Sequence, residues 1–144
     1  MLTRVLLLTL ALTGALGGAA PAQDLAALLV GRWEGDIQAE TGTYARTLVI
    51  KSVGAREGGP VLEAEFGGPG EANARPPGAL TPVQVAVDTS NREIVLRFAT
   101  VDHYPVTLTL YRDGKHLIGA VRGRSTVGRG RGGGDFALNL KKVD

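Results

Sequence analysis

The chain has 144 residues, with 16 Lys plus Arg against 14 Asp plus Glu, 44% hydrophobic residues, 5% aromatics and no cysteine. That length builds one domain around a single modest core and leaves no room for a second. The missing cysteines exclude disulfides, thiolate metal sites, a thiol nucleophile and lipid attachment through an N-terminal Cys, and the near-neutral balance gives no long-range attraction to nucleic acid or an anionic membrane.

Residues 1–22 have the layout of a secretory signal peptide. Arg4 supplies the positive start, Val5 to Leu12 the apolar run, and Ala20, Pro21 and Ala22 the small residues ahead of a cleavage point before Gln23. The apolar run is about half of the roughly 20 residues that a spanning helix needs. Gly14, Gly17, Gly18 and Pro21 also interrupt it. Residues 23–144 are therefore expected to form one exported domain, secreted or periplasmic, that spans no membrane once the leader is removed.

After the leader, Asp24 to Val30 can make one or two helical turns, with Asp24 placed to cap the start and Gly31 to end it. From there on, short alternations of apolar and polar residues separated by Gly, Pro, Asp and Asn predict strands. The runs are Trp33 to Ala39, Tyr44 to Ser52, Val61 to Phe66, Val83 to Val87, Ile94 to Phe98, Val106 to Leu110, Leu117 to Val121 and Phe136 to Leu140. Asp113-Gly114 reads as a hairpin turn in which both positions tolerate positive φ, and Thr89 to Asn91 is expected to join two runs in the same manner. Gly58 to Pro60 marks a further turn. The stretch from Gly67 to Leu80, with Pro69, Pro76 and Pro77, is a longer irregular connection. Connections this short make neighbouring strands antiparallel.

Each run has one apolar face, and no helix is long enough to cover the sheet they form. The sheet must close on itself or fold into a sandwich. Closure also removes the edges through which exposed strands aggregate. The expected fold is thus all-β, a small antiparallel up-and-down barrel of about eight strands preceded by a short helix.

The single Trp stands at the start of the first strand, in Leu29-Val-Gly31-Arg-Trp33-Glu-Gly35. A large amphipathic ring there can plug one end of a barrel. This stretch resembles the Gly-x-Trp motif of the lipocalins and the wider calycin barrels, in which a basic residue from a late strand stacks on the Trp. The resemblance offers Arg122, Lys141 or Lys142 for that partner, and a Lys would make a looser cation–π contact than an Arg. The chain is also similar to small exported bacterial β-domains that start on a Trp-x-Gly strand and end on a Leu-x-Leu-Lys strand. Here these are Trp33-Glu-Gly35 and Leu138-Asn-Leu-Lys141, with Asp113-Gly114 and Leu117-Ile-Gly119 between them. The resemblance implies a ligand-holding barrel, although one Trp is too few for an avidin-like biotin pocket.

Candidate chemistry is sparse. Asp102, His103 and Tyr104 are adjacent in a connection, but neighbours in an extended segment face opposite ways. Ser125 lies in Gly123 to Gly128 without the strand–turn–helix setting or the spacing of a nucleophile elbow. Glu63 and Glu65 share one strand face, expected to be solvated. Two His and no Cys recommend no metal site, and no catalytic residue or cofactor is expected. The Gly-rich segment Arg122 to Asp135 carries Arg122, Arg124, Arg129 and Arg131 with no acid before Asp135. It is either a solubilising loop or an anion-binding rim for an envelope component; without aromatics to stack bases it does not suit nucleic acid.

Two functions follow as expectations. One is a non-enzymatic binding protein holding a small apolar ligand or lipid among Trp33, Ile37, Phe66, Phe98, Leu108 and Val121. The other is a structural or interaction module of the envelope with a filled core and an Arg/Gly-rich anion-binding loop. The same apolar positions serve a pocket or a core, and the alternation alone does not separate them.

Overall fold

The structure, a computed structural model, describes residues 22–40, 42–69, 76, 78–124 and 133–143. The leader expected over residues 1–22 lies outside these but for Ala22. Helix α1 (Ala22–Leu29) is followed by strands β1 (Gly31–Ala39), β2 (Gly42–Arg56), β3 (Gly59–Gly67), β4 (Thr81–Asp88), β5 (Val95–Ala99), β6 (Pro105–Leu110), β7 (His116–Arg124) and β8 (Gly133–Lys142). Each strand pairs antiparallel with the next and β8 returns to β1, closing an eight-stranded barrel consistent with a lipocalin-like one.

Alternation drives the closure. Leu48, Leu62, Val85, Leu96, Leu108, Leu117, Leu138 and Leu140 all point inward and are buried, joined by Leu25 and Leu29 of α1. Burying that face supplies the main driving force, at roughly 25 cal/mol per Å² of apolar surface. Between β2 and β3 the register slips between Ile50 and Ser52. The extra residue, Lys51, shifts the inward set from Arg46, Leu48 and Ile50 to Val53, as a β-bulge does.

Two glycines permit the tight curvature. Gly35 lies between the inward Trp33 and Ile37, and Gly119 between Leu117 and Val121. A Cβ on Gly35 would collide with the carbonyl of Asn139 on β8, and one on Gly119 with the carbonyl of Thr107 on β6. Only glycine lets strands approach this closely, which is how a short barrel turns its corners.

Local details depart from the sequence reading. The helix starts at Ala22, so Asp24 sits within its first turn and favours the N-terminal end of the helix dipole instead of capping it. The helix ends at Leu29, and Gly31, with φ of 139°, already begins β1. Thr89 to Asn91 is part of a longer connection, 89–94, because the Asp88 carboxylate captures both the N–H and the hydroxyl of Ser90 and the chain then turns through Arg92 at φ 61°. In the β6–β7 hairpin only Gly114 has positive φ, at 67°. Asp113 instead accepts the N–H groups of Lys115 and His116, the side-chain-to-backbone turn that Asp favours.

Candidate functional site

Antiparallel order sorts the connections to two ends. The strand ends flanking the β1–β2, β3–β4, β5–β6 and β7–β8 connections lie at one, and α1 with the other three connections and the start of β1 at the opposite one.

The α1 end is closed. Trp33 is fully buried, and its Nε1–H donates to the Leu29 carbonyl at 2.9 Å, fixing the ring beneath the last turn of the helix. Lys142 is the basic residue that meets it. Its Nζ lies 5.5 Å from the ring centroid and also donates to the Leu28 carbonyl at 3.1 Å. One ammonium therefore completes the plug and caps the helix C-terminus, where a cation is favoured.

The six proposed ligand residues all face inward, yet they divide along the axis. Trp33 and Leu108 have no accessible surface, nor do Leu96, Leu117, Leu138 and Leu140. Among the described residues the plug and middle layers are thus closed to solvent. Slight exposure returns toward the far end, at Ile37 (7%), Phe98 (7%) and Val121 (5%), with Phe66 beside them and Tyr44 and Phe136 partly buried.

Arg46 also faces inward at that end and is buried. Its Nη1 donates to the carbonyls of Ala45 at 2.8 Å and Pro69 at 2.6 Å, tying β2 to the start of the β3–β4 connection. Gly68 packs so closely on the Ala45 carbonyl that no Cβ fits. Sequence reasoning passed over Arg46, although a signal existed: it shares the parity of Leu48 and Ile50, and a charge on an apolar face is the informative exception.

The remaining candidates do not converge. Arg122 is exposed and reaches Asp135 from Nε at 3.4 Å. Arg124 ends β7; its side chain, with Arg129, Arg131 and Ser125, lies outside the described residues. Asp102 and His103 form a tight turn in which Thr100 donates its N–H to the Tyr104 carbonyl and accepts the N–H of Tyr104 on Oγ1, with His103 at φ 66°. Glu63 and Glu65 face outward, where Glu65 pairs with Lys51 at 2.7 Å. Among the described residues no group of three or more His, Asp or Glu is placed to hold a metal ion, and no helix is long and apolar enough to cross a membrane. Comparison with protein-family models, curated proteins and solved structures gives no match.

Proposed function

We propose that this chain is an exported, non-enzymatic binding protein of lipocalin-like type, holding a small apolar or amphipathic ligand at the far end of its barrel. The observation that carries this reading is that inward-facing apolar side chains are slightly accessible at the end opposite the Trp33 plug, at Ile37, Phe98 and Val121, with the Arg46 guanidinium buried beside them. A concave, mostly apolar site with a few polar groups is the form that small-molecule sites take. In this reading the leader over residues 1–22 delivers the protein to the periplasm or the outside, and Trp33 closes the base without touching ligand.

The middle of the barrel, closed to solvent, favours a second reading, a structural or interaction module of the envelope that works through its loops. Native mass spectrometry of the protein recovered from its own host's envelope separates the two. Retention of a lipid or another small molecule supports the binding protein. A mass equal to that of the bare chain, after gentle extraction, supports the module and removes the first reading.

A further inference from the structure

A second concave surface lies at the α1 end of the barrel. Residues 91–94 of the β4–β5 connection, residues 109–112 leading out of β6, and Ile118 on β7 enclose an open groove of about 810 Å³. The Ile94 carbonyl accepts the N–H of Leu110 at 2.9 Å, and Asp88 holds the other end of the connection through Ser90, so this wall is pinned at both sides. Tyr111 and Ile118 stand 55% and 42% exposed along the groove, with Ile94 and Leu110 partly buried behind them. Large apolar surface left bare in a concavity marks a contact site more than scattered exposure does.

The polar lining is equally unspent. Neither Asn91, Arg92, Glu93, Tyr111 nor Arg112 gives its side chain to a partner among the described residues. Elsewhere on the surface Arg32, Lys51, Arg97 and Arg122 each meet a carboxylate. Arg92 is moreover held at φ 61°, in a left-handed conformation that a bulky residue adopts only where its surroundings impose it.

We propose that this groove binds an acidic saccharide. A pyranose offers a flat C–H face, which suits the Tyr111 ring and Ile118, and a rim of hydroxyls that can both donate and accept, which suits the Asn91 amide and the Glu93 carboxylate. Two guanidiniums against one carboxylate leave an excess positive charge, and Arg pairs with a carboxylate in bidentate fashion. A sugar bearing a carboxylate satisfies both halves of the lining. The groove shares no lining residue with the site at the far end of the barrel and stands or falls independently of a ligand there.

The test titrates the isotopically labelled full chain, processed by its host, with trigalacturonate and in parallel with its methyl ester, following amide chemical shifts. Trigalacturonate is expected to shift residues 91–94, 109–112 and 118, and the ester to bind at least about fivefold more weakly. Tyr111→Ala should weaken both ligands about fivefold or more. Arg112→Gln and Arg92→Asn, the latter keeping a residue that tolerates positive φ, should weaken the acid and leave the ester unchanged. No shift at millimolar trigalacturonate, or shifts centred elsewhere, overturns the proposal. So does inorganic phosphate reproducing the shifts with Tyr111→Ala silent, which would reduce the groove to an anion site.

Discussion

Phe66 and Phe98 meet edge to face, centroids 5.1 Å apart at 67°, although they sit on β3 and β5, which are not hydrogen-bonded neighbours. The strand between them explains why this matters. β4 pairs with β5 only through Ala86, Val87 and Asp88, whereas it pairs with β3 from Thr81 to Ala86. The rings thus hold together, from inside, the part of the wall with the shortest ladder. Phe98→Ala removes this contact and opens a core cavity, at a cost of about 3–5 kcal/mol. Urea unfolding should give that loss, and hydrogen exchange should quicken first in 81–85. Slowed or unchanged exchange there would show that the ring pair does not brace the seam.

Gly35 and Gly119 carry the barrel's curvature. Because the obstacle to a side chain at either is backbone on the adjacent strand, no rotamer change relieves it. Gly35→Ala and Gly119→Ala should each destabilise by at least the roughly 1–3 kcal/mol typical of overpacking. By contrast Gly54→Ala, whose new methyl would meet the Val61 carbonyl at an ordinary 3.7 Å, should be almost neutral. Thermal melts of the three variants check the ordering.

The alternation made every strand legible, since one face of each must be buried, and it placed Ile37, Phe66, Phe98, Leu108 and Val121 inside. Strand ends and turn types were less readable. The bulge at Lys51 has no Gly or Pro to announce it and follows from register with β3. Arg92 occupies a left-handed position where local chemistry would ask for Gly, Asn or Asp. Arg46 was hidden because a long cation on an apolar face needs acceptors from a distant loop, and only the tertiary fold brings Pro69 to it. Pocket and core are indistinguishable in the sequence for a simpler reason: both call for the same apolar residues.

Lys142 acts on both the Trp33 ring and the α1 C-terminus. A cation–π contact contributes about 0.5–1 kcal/mol and a charge at a helix end about 0.3–1 kcal/mol. Lys142→Met, which keeps the aliphatic stem, should therefore cost about 1 kcal/mol. Lys142→Arg should retain most of it. Trp33→Phe leaves the buried Leu29 carbonyl without its donor and should cost about 1–3 kcal/mol. In the parent chain the single, fully buried Trp should give an emission that resists acrylamide quenching. Easy quenching would mean that the plug is loose.

Acid should loosen the α1-end connections through two carboxylates. Asp88 is held down to about 2, from an ordinary 3.8, by the Ser90 hydroxyl and N–H and then by Arg97. Asp113 is lowered first by the N–H of Lys115, and its other oxygen meets His116 Nδ1 at 2.6 Å. In both, the folded state prefers the charged form. Their stabilisation is thus complete above the unfolded value near 3.8 and is lost as pH falls toward the folded value. Asp88→Asn keeps an acceptor for Ser90 but cannot titrate. Its urea midpoint should lie below that of the parent at pH 5, and the two should converge near pH 2, where Asp88 takes up its proton. A difference that stays constant across this range would show that Asp88 contributes nothing to acid sensitivity.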